Sequence, residues 1–297
     1  NYLDHYLNYI AVERGLARNT LDAYGRDLAR YLEYLQKHKV DGLEKITPTI
    51  VLRFLGSLKE AGLSPRSRAR SLAALRTFHK FMVREKLAAD NPTDQIVSPK
   101  SLTALPKTLS PVDVESLLAS PKGEAPLAMR DRAMLEILYA TGLRVSELVR
   151  LKPCDIHAER MLVRVEQGKG HKDRYTLLSP RLLEELRVYW RAYRPQTWVF
   201  EGARAGCHLA VATAQGVFDR AKERAGVQHG NGIHCLRHSF ATHLMEAGVP
   251  VPVIQRLMGH ASLSTTAKYL HVTGKHLGSI CSPLDLLRLP EPKDAAE

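Results

Sequence analysis

A chain of 297 residues has room for two domains, each large enough to bury its own core. Its hydrophobic share of 44% is that of an ordinary globular protein, and no apolar run is long enough to span a membrane. Lys and Arg number 43 against 31 Asp and Glu, a net charge of +12, which points to a polyanion such as nucleic acid, against the plainer reading of a merely basic soluble protein. The excess is shared between the first 110 residues and the remainder, so both domains are expected to face that partner.

The first hundred residues read as helices. Thr20 opens an amphipathic run through Leu21, Tyr24, Leu28, Tyr31, Leu32 and Leu35 at helical spacing. Thr47-Pro48 and Ser64-Pro65 each pair a capping hydroxyl with proline at the first helical position, and Gly62 stops the helix between them. The helix from Pro65 to about Glu85 carries Arg66, Arg70, Arg76, Lys80 and Arg84 on one arc of roughly 120°. Leu72, Leu75, Phe78 and Met82 cluster opposite, and Arg68 falls among them. A stripe with no interleaved acid before Glu85 predicts a phosphate-facing helix, against the plainer reading of a solvated face. Asp90-Asn91-Pro92 ends this module. The pattern divides the chain into a helical module over 1–97, a linker over 98–109 and a second domain over 110–297, with the basic stripe making DNA the expected partner of the first.

In the second domain Ser110-Pro111-Val112-Asp113 has capping-box spacing. A helix over 128–139 follows, broken by Thr141-Gly142 before a short helix carrying Arg144 and Glu147. Residues Met161–Glu166 and Arg174–Leu178 alternate about a turn at Gln167-Gly168-Lys169-Gly170, which predicts a small antiparallel hairpin. Ser179-Pro180 caps the next helix. Gly230-Asn231-Gly232 precedes a helix from His234 to about Ala247, stopped by Gly248. Cys154, Cys207, Cys235 and Cys281 form no Cys-x-x-Cys pair, so they read as reduced thiols of a cytosolic protein, with no disulfide frame and no metal site.

The chemistry-bearing residues form an ordered set. Arg144 and Arg237 supply two guanidinium forks, each able to hold a phosphate bidentately. Glu147 lies one turn after Arg144, where it would orient it or form an ordinary surface pair. His234 and Arg237 share the start of a helix, where free amides and the macrodipole favour an anion. His234 would trade a proton with a nucleophile, and His238 and His243 are close enough in sequence to compete for the role. Lys169, between two glycines, can bring an ammonium to a leaving oxygen. Tyr269 is the candidate nucleophile.

Ala140-Thr141-Gly142-Leu143-Arg144-Val145-Ser146-Glu147-Leu148, Leu236-Arg237-His238-Ser239-Phe240-Ala241-Thr242-His243-Leu244, Gly259-His260 and the late Tyr269 resemble the tyrosine recombinase (phage integrase) family, with the Xer-type members most alike. The resemblance covers nearly the whole chain. It implies a mainly α fold with a small antiparallel sheet: a helical core-binding domain followed by a mixed α/β catalytic domain. By that likeness Tyr269 attacks the scissile phosphate and leaves a 3′-phosphotyrosine. Arg144 and Arg237 hold the phosphate, His234 assists proton transfer, Lys169 protonates the departing 5′-hydroxyl, and His260 hydrogen-bonds a phosphate oxygen. The implied partners are duplex DNA, three further copies in a tetramer on paired sites, and a second recombinase or accessory protein; no metal or cofactor is implied. A type IB topoisomerase-like enzyme and a non-catalytic architectural DNA-binding protein are the rival readings. Thr273–Glu297 is longer than a housekeeping Xer protein would need, and suits a recombinase of mobile elements equally well. Its Leu277, Ile280, Leu284 and Leu287 are spaced for one apolar helix side, interrupted by Pro283.

Overall fold

The hydroxyl–proline pairs set the helix starts of the first unit. Thr47 accepts from the Ile50 amide at 3.4 Å and Ser64 from the Ser67 amide at 3.2 Å, each satisfying one of the free N–H groups of a first turn. The structure, a computed structural model, describes residues 2–13, 18–98, 108–123, 125–166 and 173–259. The chain divides into two units, Asn1–Thr103 and Ala104–Glu297. Lys169, His260, Tyr269 and the apolar tail positions 277–287 lie outside the described residues. No described helix is long and apolar enough to cross a membrane.

The first unit holds α1 (Tyr2–Val12), α2 (Arg18–Lys37), α3 (Pro48–Glu60) and α4 (Pro65–Arg84). The apolar face of α4 is buried: Leu72, Leu75, Phe78 and Met82 are at most 1% exposed, each contributing about 1.5–3 kcal/mol. They pack with Tyr6, Ile10, Leu28, Tyr31, Phe54 and Leu58 in one core. Two polar pairs border it, one of them reaching solvent through Arg70. The Tyr31 hydroxyl lies 3.2 Å from His79 Nε2, and burial pushes the His79 pKa down to about 4. Asp27, 2% exposed, receives Arg70 through Nε at 2.8 Å and Nη2 at 3.1 Å. The chain after α4 still belongs to this unit, since Thr93 and Ile96 are buried.

The second unit begins its regular structure with α5 (Pro111–Leu118), whose Ser110–Asp113 capping box is complete. Then come α6 (Pro126–Thr141), α7 (Val145–Leu148), β1 (Ile156–His157), β2 (Leu162–Val165), β3 (Arg174–Leu177), α8 (Pro180–Tyr193), α9 (Val211–Arg224), α10 (His234–Glu246) and α11 (Val251–Met258). α6 packs on both α8 and α10, and its Ala133, Met134, Leu135, Ile137 and Leu138 fill the middle of the core. The strands form one antiparallel sheet in the order β1-β2-β3, with Val163 opposite Thr176 and Val165 opposite Arg174. Mainly helical architecture with a small antiparallel sheet is therefore what forms. Three elements of this unit go beyond the sequence reading: the two-residue β1, α9, which has no side-chain cap at Ala210, and α11, which starts after Pro250.

Leu109, 1% exposed, belongs to this core. Its amide donates to Ser239 Oγ at 2.8 Å and its carbonyl accepts from His243 Nε2 at 3.0 Å. Chain entry is thereby fastened to α10.

Candidate active site

Helix ends build the site. α6 stops at Gly142 and α11 at Gly259, both in the left-handed conformation, with φ of 63° and 61°. A Cβ on Gly142 would come within 2.4 Å of the Phe240 ring, and one on Gly259 within 2.7 Å of Arg174 Cδ. Only glycine satisfies both demands. Each turn leaves carbonyl oxygens at the negative end of a helix, where cations are favoured. Guanidiniums occupy them. Arg237 donates through Nη1 to Gly142 O and through Nη2 to Met258 O. Arg144 Nη2 reaches Gly259 O at 3.4 Å. Arg174 Nε donates to Leu257 O at 2.9 Å.

One carboxylate joins these three arginines. Glu147 Oε1 accepts from Arg144 Nη1 at 2.7 Å and from Arg174 Nη1 at 2.9 Å. Its Oε2 accepts from the Arg144 backbone amide and from Arg174 Nη2, both at 2.7 Å. Arg237 Nη1 stands 3.9 Å from the same oxygen. The Glu147 side chain is 9% exposed, so the surface-pair reading of Arg144 and Glu147 does not hold. Burial raises the Glu147 pKa. The bonds and charge of Arg174, the Arg144 amide and the Arg144 charge more than offset it, and the carboxyl is held down to about 2. The cluster is therefore permanently cationic at neutral pH.

His234 is the first residue of α10, with Arg237 one turn on. Its ring is exposed at the surface. Protein crowding lowers its pKa first, with the Arg237 and Arg144 charges adding in the same direction, so the neutral imidazole is favoured. His243 is committed elsewhere. Since Leu109 O can only accept, His243 Nε2 carries the hydrogen and Nδ1 accepts from the Tyr139 hydroxyl at 2.9 Å. It fastens the chain and does not compete with His234. The pKa of His238 is lowered by burial and then by the charges of His234 and Arg237. Among the described residues, no group of three or more His, Cys, Asp or Glu is arranged to hold a metal ion; the charges that converge are cations.

The structure thus brings Arg144, Glu147, His234 and Arg237 together, while Lys169, His260 and Tyr269 fall outside the described residues. Arg174 is a member that the sequence reading lacks. Its signal is an inverted alternation on β3: Arg174 and Thr176 are buried while Tyr175 and Leu177 are 43% and 41% exposed. Polar side chains on the inner face of a strand require partners there. Thr176 Oγ1 finds Thr141 O at 2.8 Å, and Arg174 finds Glu147.

The basic stripe of α4 separates into two kinds of residue. Arg70 is bonded to Asp27, Arg76 donates to Ile96 O, and Arg84 pairs with Glu13 and Glu85 while lying 3.9 Å over the Tyr9 ring. Arg66 and Lys80 are exposed, with no acidic partner among the described residues.

Residues 107–276 match the model of the phage integrase family, and residues 3–86 match that of the phage integrase N-terminal SAM-like domain. Tyrosine recombinase XerD of Halalkalibacterium halodurans is 39% identical over 280 residues, covering 92% of this chain and 93% of that protein. The XerD of Staphylococcus epidermidis is likewise 39% identical over 277 residues, covering 91% and 94%. Among solved structures, XerH site-specific recombinase in a post-cleavage complex with palindromic difH substrate has a TM-score of 0.74 at 26% identity, covering 90% of this chain and 80% of that one. A lambda integrase dimer bound to a core site shares the fold, with a TM-score of 0.72 at 22% identity over 89% and 95% of the two chains. Two family matches in tandem, relatives that align end to end, and the arginine–glutamate cluster agree: the chain belongs to the phage integrase family and is a Xer-like tyrosine recombinase, a DNA strand-transfer enzyme.

Proposed function

We propose that Arg144, Arg237 and His234 form the phosphate-facing half of the active site, and that Lys169, His260 and Tyr269 complete it. The observation that carries this reading is the pair of guanidiniums fixed by carbonyl oxygens of two helix ends around a single ionised carboxylate. Such donors are oriented before any substrate arrives, which is the condition for stabilising charge that grows on non-bridging oxygens. Tyr269 Oη attacks phosphorus in line with the 5′-bridging oxygen, and its proton passes to His234, whose lowered pKa leaves it neutral and receptive. The P–O5′ bond breaks, and the 5′-oxygen takes a proton from the Lys169 ammonium. His260 donates to a phosphate oxygen. The 3′-phosphotyrosyl link keeps the energy of the broken diester, so a 5′-hydroxyl from a partner strand can reverse each step and rejoin the strands.

The reading extends to duplex DNA held in part by Arg66 and Lys80 on α4, and to a homo-tetramer acting on paired sites in the cytoplasm, with a second recombinase or accessory protein as a further participant. Chromosome-dimer resolution and mobile-element integration or excision use this same chemistry and differ in the sites that are paired.

Sequencing of DNA fragments trapped covalently on the protein identifies the cleaved site. A nicked suicide duplex of that sequence then tests the nucleophile. Tyr269→Phe is expected to bind the duplex like wild type and to give no covalent adduct on a denaturing gel. An adduct of undiminished yield in the variant rejects Tyr269.

A further inference from the structure

Arg174 has no place in the set of residues just assigned, yet it makes two of the four bonds to Glu147. Its side chain is 8% exposed. It spans from β3 to the end of α11 through Leu257 O, and it takes both Glu147 oxygens in a parallel fork of 2.9 and 2.7 Å. A fork of this kind is specific in geometry as well as strong.

The charge balance gives this fork a consequence. Three guanidiniums surround one carboxylate, and the same Oε2 that Arg174 holds is only 3.9 Å from Arg237 Nη1. Arg174 lies against helix carbonyls and strand, and it draws the negative charge toward itself. Released from it, the carboxylate, already 2.7 Å from Arg144 Nη1, would be free to turn Oε2 onto Arg237 and offset more of the positive field of the two groups assigned to the phosphate. We infer that Arg174 is a positioning residue for strand cleavage: it holds Glu147 so that the positive field of Arg144 and Arg237 stays uncompensated and aimed at the scissile phosphate. The inference rests on the functional reading above and deepens it. Lysine at this position would preserve the charge but lose the fork, because an ammonium is a single point donor.

The test uses the full chain and the suicide duplex identified by fragment trapping. The duplex is made once with an ordinary phosphodiester at the cleaved position and once with a methylphosphonate, whose methyl group removes the charge. Arg174→Lys is the main variant and Arg174→Ala the harsher one. On the phosphodiester, adduct formation by Arg174→Lys is expected to slow by about a hundredfold, the scale of a small misplacement of catalytic groups. On the neutral methylphosphonate the slowing is expected to shrink to within roughly a tenth of that factor, since no anionic charge needs a full guanidinium field. Duplex affinity of Arg174→Lys should stay close to wild type, and rates are compared at a temperature where circular dichroism shows both proteins folded. Equal slowing on the two substrates would make Arg174 a purely structural strut and overturn the inference, as would wild-type rates in both variants. A wild-type protein that forms no adduct on the phosphodiester would instead overturn the functional reading, and this inference with it.

Discussion

Burial by itself would raise the Glu147 carboxyl, but its four short bonds to Arg144 and Arg174 bring it down from 4.5 to about 2. A depressed carboxylate stabilises the fold wherever the unfolded group would be ionised, above about pH 4.3, and that stabilisation is lost as pH falls through about 2. The shift corresponds to about 3 kcal/mol. Glu147→Gln is therefore expected to lower stability by roughly this amount at pH 7, as measured by urea unfolding. The difference from wild type should narrow steadily between pH 4 and pH 2, as the wild-type carboxyl itself becomes neutral. A gap that stayed constant with pH would show that the missing contribution is packing, not charge. At this scale the sequence makes Arg144, Glu147, His234 and Arg237 legible, because they lie one helical turn apart in pairs. Arg174 is not, since its partners sit on α7 and α11, far off in sequence. The division within the α4 stripe is hidden for the same reason: Asp27 and Glu13 come from other parts of the chain.

Gly142 and Gly259 do at the level of elements what the arginines do at the level of side chains. Each ends a helix with φ near 60° and exposes the carbonyls that the guanidiniums occupy. Gly248 follows α10 with φ of 83° but has nothing near its missing Cβ. Alanine at Gly248 should cost only the left-handed backbone, about 1–2 kcal/mol. Alanine at Gly142 should cost more, because its methyl would meet Phe240. Thermal unfolding of the two single variants, and of Gly142→Ala with Phe240→Leu, checks this. Partial recovery in the double variant is expected; no recovery would remove the ring from the explanation. Elements with capping hydroxyls and prolines (α3, α4, α5 and α8) are readable in advance because the cap and the turn are local. α9 is less so, having no capping side chain at Ala210 and Gly216 in its interior, although its buried face of Ala214, Val217, Phe218 and Ala221 follows helical spacing. β1, with two residues, exists only through its pairing with β2.

For the molecule as a whole, the 43 Lys and Arg overstate what is available to DNA, since several of them are paired with acids inside each unit. Arg70 is bonded to an Asp27 that is 2% exposed, and reversing it would leave like charges facing each other in the first unit. Reversal at Arg66 and Lys80 together is the cleaner test. It should weaken binding to all duplex sequences alike and flatten the salt dependence by about 0.9 in log affinity per log salt for each phosphate that is no longer neutralised. Thermal stability should stay at the wild-type value. Unchanged affinity and slope would leave the two side chains as solvated surface.

The arginine-capped helix ends have a consequence for how the free enzyme rests. Three fixed guanidiniums repel one another, and a single carboxylate balances only one of them. In the absence of an anion the second unit therefore carries an unrelieved self-repulsion, located where its two helix ends and its strand are tied together. On the proposed assignment, a phosphate entering the cluster would act as a missing counter-ion and relieve the repulsion. Binding of a DNA phosphate at the cluster and the stability of the second unit would then be linked, each strengthening the other.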